Sequence, residues 1–209
     1  MKRNMAITGF YCALVALLAT LGYGIVQILQ VLGTLKYPLD DRLIYGFSLA
    51  IAQPFLLAML AFHYILPEER RFWSHAALLF ALLYTVYVVL IYGVQLATVI
   101  PASLHDRRET LLTVKPQSFF WTIDALGYIC MGIATLMAAF ALKNNSDTLW
   151  LSHFLLANGF VVPLICITYF YPHFSTATLW IGSPWLITVP GSMLLLSRFF
   201  KKEAAELWG

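Results

Sequence analysis

The sequence predicts an all-α fold: a single integral membrane bundle of six transmembrane helices with both termini cytoplasmic. Three observations lead there. Of 209 residues, 61% are hydrophobic and only 11% are charged, whereas roughly a quarter of a soluble domain is charged. So little charge cannot cover a globular surface, and lipid must be the solvent for much of the chain. The apolar residues also gather into six runs of the length that crosses a hydrocarbon core as a helix, about 20 residues. Finally, the basic residues are distributed unequally between alternate connections, as the positive-inside rule requires.

The first run follows "MKRN" and has the outline of a secretory signal, two basic residues and then an apolar stretch. It continues to about Gly33, far beyond a signal's apolar region, with no small-x-small cleavage site. It is therefore read as a retained first span, 6–33. "TLKYPLDDR" separates it from span 45–66, and "PEERRFW" precedes span 74–100. "PASLHDRRETLLTVKP" is the one sizeable connection and leads to span 116–142. "KNNSD" and "PHFST" close the hairpins around spans 148–171 and 177–200. Connections this short favour one domain over residues 1–209. An inverted repeat of three spans is topologically possible, but residue matches between the halves do not support it.

With the N-terminus inside, the cytoplasmic segments hold Lys2, Arg3, Arg70, Arg71, Lys143, Arg198, Lys201 and Lys202. The outer ones hold Lys36, Arg42, Arg107, Arg108 and Lys115, a bias of eight to five. Trp73, Trp121, Trp150 and Trp180 fall near the span ends, where an aromatic belt sits.

Composition also excludes functions. The net charge of +3 includes no basic cluster that could track a nucleic-acid backbone. Cys12, Cys130 and Cys166 lie in apolar stretches at no metal-ligand spacing, so neither a disulfide framework nor a metal site is expected. There is no H-E-x-x-H, G-x-S-x-G, P-loop or dinucleotide fingerprint. The last span has no deep lysine for a retinal Schiff base. No cofactor and no catalytic residue are assigned.

Against this background the polar residues inside the spans stand out. In "PQSFFWTIDALGYICMGIATLMAAFAL" the only ionisable carboxyl is Asp124, about eight residues into the fourth span from its outer end. A central Asp costs about 2.5–3.5 kcal/mol to insert, which makes it a functional-site candidate by default. Thr20, Tyr23, Gln27 and Gln30 form one helical stripe in span 1. Gln53 precedes Pro54 in span 2, where the proline frees a backbone carbonyl one turn back. Span 3 carries Tyr84, Tyr87, Tyr92 and Gln95, and Ser183 and Pro184 interrupt span 6. These residues reach a similar outer depth and predict a polar pocket. In it Asp124 is the counter-charge, Gln27, Gln53 and Gln95 orient a ligand, and Tyr23 and Tyr128 form walls. The competing expectation is a purely structural network, in which a protonated Asp124 donates to Gln95 or Gln27.

Other features are weaker. His63, His75 and His153 lie near the inner side without a ligand spacing and are read as interface residues. Gly127, Gly132, Ala134 and Ala138, with Gly22 and Gly24, predict close helix packing. The loop "SLHDRRET" is read as a solvated charged loop that could also meet an anionic headgroup.

"FWTIDALGYICMGIATL" and "FWSHAALLFALLYTVYVVLIYGVQLATVIP" resemble segments of a family of small six-span prokaryotic inner-membrane proteins, a domain of unknown function. The resemblance implies the fold and a prokaryotic cytoplasmic membrane, and it implies no activity. The expectation is thus a multi-pass protein that binds or transports a small polar or cationic molecule through an outward-opening pocket. The alternatives are a structural or accessory membrane subunit, and a membrane enzyme acting on a lipid-like substrate. Membrane lipids are the expected partners, and the oligomeric state is left open.

Overall fold

The computed structural model describes residues 2–105, 111–143 and 146–206. The described residues form helices and connecting turns, without strands. Six of the helical stretches are long and apolar enough to cross a membrane: Lys2–Val31, Leu39–Ile65, Glu68–Leu104, Phe119–Ala141, Leu149–Phe170 and Ala177–Glu206. These six helices are compatible with a six-span membrane bundle.

Helices α1 (Lys2–Val31) and α2 (Leu39–Ile65) form the first hairpin. The start of α2 lies six residues before the predicted 45, because Asp40 and Asp41 occupy its first turn, where carboxylates complement the helix dipole. An apolar count reads them as loop. Pro54 sits inside α2 without ending it. Helix α3 (Arg71–Val94) widens into a π-helical stretch at Gln95–Val99 before the short α4 (Ile100–Leu104).

Helix α5 (Phe119–Ala141) starts after Ser118, whose Oγ accepts the Trp121 N–H at 3.2 Å. The fifth span is broken, which the sequence reading did not foresee. Helix α6 (Leu149–Phe160) and α7 (Val162–Phe170) meet at Val161, and Pro163 cannot continue the backbone ladder. The sixth span has its interruption at Ser183 and Pro184, between α8 (Thr176–Gly182) and α9 (Trp185–Glu206). Helix α9 runs past the predicted end at 200, and Lys202 there pairs with Asp147 at 2.7 Å.

Each span packs chiefly on two neighbours, and the order α1, α2, α3, α5, α6–α7, α8–α9 closes back on α1 as a ring. Much of the interior is filled with apolar side chains. Phe55, Met59, Phe62, Met193, Leu196 and Phe200 are all essentially inaccessible. Deeper polar groups are paired. Asn158 donates to Thr135 Oγ1 at 3.0 Å and accepts from Thr188 Oγ1 at 2.9 Å, joining α6 to α5 and α9.

Close approach at several glycines, Gly132 and Gly22 among them, permits this packing. A Cβ at Gly132 would collide with Val162, just after the break in the fifth span. One at Gly22 would collide with the ring of Phe47. Gly127 and Gly24 have only ordinary contacts, so the small residues do not act as one uniform stripe. Replacing Gly132 by Leu is expected to lower the unfolding midpoint in detergent by the cost of overpacking, about 1–3 kcal/mol. Gly93→Ala, where an added methyl meets open space, is the control and leaves the midpoint unchanged or raised.

Candidate functional site

The carboxylate of Asp124 lies on α5, five residues from its start at Phe119, about 8 Å along the axis. This end of the bundle also holds residues 32–38 and 171–175, the end that the basic-residue bias assigns to the outside. Asp124 is buried, at 6% exposure, inside the ring. Its two oxygens are both used. Tyr92 of α3 donates to Oδ1 at 2.6 Å, and Tyr169 of α7 donates to Oδ2 at 2.6 Å. With a phenol hydroxyl on each oxygen, the two hydrogen bonds favour the ionised form over the neutral one. Hydrogen bonds to a charged acceptor at this length are about twice as strong as neutral ones. Gln95 and Gln27, the partners expected from sequence, do not bond to it.

Both tyrosines are held in place by rings. Tyr45 stacks on Tyr92 with centroids 5.2 Å apart and planes at 21°. Trp121 packs on Tyr169 at 4.4 Å, and its Nε1 donates to the Tyr169 carbonyl at 2.9 Å. The Asp124 carboxylate thereby joins α3, α5 and α7 at one point.

A second hydrogen-bond chain runs along the predicted stripe of α1. Tyr23 donates to Gln27 Oε1 at 3.0 Å, Gln27 Nε2 donates to Gln30 Oε1 at 3.2 Å, and Gln30 Nε2 reaches Asp40 and Asp41 at 3.0 and 3.1 Å. Since Tyr23 spends its one proton on Gln27, Tyr128 is the donor in the 3.1 Å contact between the two hydroxyls. Thr20 does not extend this chain and bonds the Ala16 carbonyl of its own helix at 2.6 Å.

Between the two networks lies a cavity of about 100 Å³. Its aromatic walls are Tyr23, Tyr128, Tyr169, Trp180 and Trp185, with Gln27 among the polar lining. Trp185 stands edge-on to Tyr23 and Tyr128, at 5.4 Å from each. Its buried Nε1 is, among the described residues, the only buried side-chain donor or acceptor without a hydrogen-bond partner. The lining straddles both helix breaks, taking Ile165 and Tyr169 from α7, and Leu179, Gly182, Trp185 and Leu186 from either side of Ser183–Pro184.

Three of the six predicted pocket residues, Tyr23, Gln27 and Tyr128, thus share this cavity. Asp124 does not line it. Tyr169 stands as the common member, walling the cavity and donating to the carboxylate. A bare carboxylate at this depth would be too costly without donors, so the cavity is not centred on Asp124 as the sequence suggested. Gln95 is buried elsewhere: its Nε2 donates to the Leu112 carbonyl at 2.6 Å and its Oε1 accepts the Val114 N–H at 3.4 Å. It ties the connection before α5 to α3 and lines a separate cavity of about 280 Å³ with Asp41, Tyr45 and Lys115. Gln53 faces outward from α2 and joins neither cavity. The earlier start of α2 places it 14 residues from that end rather than about eight.

The sequence reading missed Tyr169, which lies two residues before the predicted end of its span and there looks like an ordinary belt aromatic. It also missed Asp40 and Asp41, which looked like loop charges. Among the histidines, His63 Nδ1 pairs with Ser74 Oγ at 2.9 Å and its ring meets His75 at 5.3 Å, while His153 sits against Trp150. No group of three metal-ligating side chains forms among the described residues. Most of the "SLHDRRET" charges, at 106–109, lie outside the described residues. No known protein family, curated protein or solved structure matches the chain.

Removing either tyrosine hydroxyl leaves one carboxylate oxygen buried without its donor. Tyr92→Phe and Tyr169→Phe are each expected to lower unfolding free energy by about 1–3 kcal/mol. Tyr87→Phe, on the same helix as Tyr92 but without such a bond, should change it little.

Proposed function

We propose that the protein binds a small organic cation in the aromatic cavity, entering from the outer side, and that binding is the first step of transport. The observation that carries this reading is the double role of Tyr169, whose ring walls the cavity while its hydroxyl donates to Asp124. A phenol bonded to an anion presents a more electron-rich face, and an aromatic cage is the established way to hold an alkylammonium group. The orphaned Nε1–H of Trp185 adds a preference for a ligand that also carries an acceptor oxygen. The apolar interior below the site supports an opening to one side only. Discontinuous helices typically form the substrate site of a transporter, and both breaks here contribute to the cavity lining. Placement in a prokaryotic inner membrane, with both termini cytoplasmic, belongs to this proposal and rests on the charge bias and the family resemblance.

One observation favours a structural reading instead: the carboxylate is fully satisfied by Tyr92 and Tyr169, as a pure helix lock would be. The two readings differ in whether charge matters to a guest. Choline and its neutral isostere 3,3-dimethylbutan-1-ol have the same shape and hydroxyl. Titration of the purified protein, followed by tryptophan fluorescence, should show saturable binding of choline at least tenfold tighter than of the alcohol. Asp124→Asn should abolish the difference, and proteoliposomes should take up labelled choline. Equal or absent binding of the two would leave the structural lock as the function of Asp124.

A further inference from the structure

The outer surface of the spans is covered by exposed Leu, Ile, Val and aromatic side chains. Among the described residues, one interrupts it at depth. Gln53 is exposed on α2, 14 residues from Leu39 and 12 from Ile65, about 20 Å from either end of the helix. Other exposed polar side chains on the spans, such as Thr8, Thr98, Thr122 and His153, sit toward helix ends. At mid-depth there is no water to satisfy an amide, so a partner must come from protein, and among the described residues no side chain supplies one to Gln53.

The surroundings of Gln53 are suited to a second helix. Pro54 has no N–H, so the carbonyl of Ala50 lacks its helical donor, and Ala50 is itself exposed. Gly46, one turn further, has open space where a Cβ would be. The face continues through Leu57, Leu60 and Tyr64, all exposed. The spacing 46, 50, 53, 57, 60, 64 alternates steps of four and three, the pattern of a left-handed helix pair with one polar position that fixes register.

We propose that the occupant of this face is a second copy of the same chain, with α2 packed on α2 and the two Gln53 amides hydrogen-bonded across a two-fold axis along the membrane normal. A different partner would need a polar group at a matching depth. A copy related by that axis has one necessarily, and an amide, being both donor and acceptor, complements itself. Such an interface is isologous and closes at the dimer. The freed Ala50 carbonyl gives the partner amide a second acceptor.

The test uses the full chain in lipid bilayers. In a background with Cys12, Cys130 and Cys166 replaced by Ala, Gln53→Cys is expected to form an intermolecular disulfide under mild oxidant. Leu83→Cys, exposed on α3, should not. Single-molecule photobleaching of labelled protein at increasing protein-to-lipid ratio should show a monomer–dimer equilibrium, weakened at least tenfold by Gln53→Leu. Because Gln53 faces outward, this variant should keep the wild-type unfolding midpoint; if it does not fold, the cross-linking pair decides. A wild type that stays monomeric at every ratio, a dimer unaffected by Gln53→Leu, or equal cross-linking at both cysteine positions would each overturn the proposal.

Discussion

The half of this bundle that holds Asp124 depends on one buried carboxyl with two tyrosine donors. In lipid an ionised carboxyl is expensive, and a fold can keep one only by surrounding it with donors of fixed geometry. Asp124 meets that requirement with hydroxyls from α3 and α7, each 2.6 Å away. Three spans are thereby brought to one point, and the aromatic cavity lies beside it with Tyr169 as the shared wall. The rings of Tyr45 and Trp121 then hold the two donors in position.

Packing elsewhere follows from the same economy of polar groups. Asn158 joins three helices through two threonines, and Gln95 spends its amide on backbone groups at 112 and 114. Tyr128, Tyr23, Gln27 and Gln30 hand hydrogen bonds along α1 to the carboxylates of Asp40 and Asp41. Within the ring almost every buried polar side-chain atom among the described residues has a partner. Among those residues, Trp185 Nε1 in the cavity wall has none, nor has the Gln53 side chain on the outer face. The first supports a ligand and the second a neighbouring chain.

The six spans were legible in the sequence because apolar runs of sufficient length between charged turns permit little else. So was the α1 stripe, since its steps of three and four put Tyr23, Gln27 and Gln30 on one face. Partners were less legible, because depth along a helix can be counted but rotation about its axis cannot. By count Gln95, Gln53 and Asp124 share a level, yet they point to a loop, to the outer face of the bundle and to the ring interior. Asp40 and Asp41 lengthened α2 from what looked like a loop, which moved Gln53 toward mid-membrane. Tyr169 stayed hidden because an aromatic near a span end has an ordinary explanation.

The central claim is that Asp124 is held ionised by its two tyrosines and lends negative charge to the cavity. The most direct measurement is the infrared difference between wild type and Asp124→Asn in lipid at neutral pH, in the region of protonated carboxyl stretching. The account predicts that the substitution removes only carboxylate absorption and no protonated carboxyl band. Loss of a protonated carboxyl band in the variant would contradict it, because Asp124 would then be neutral and the cavity would have no charge to offer a cation.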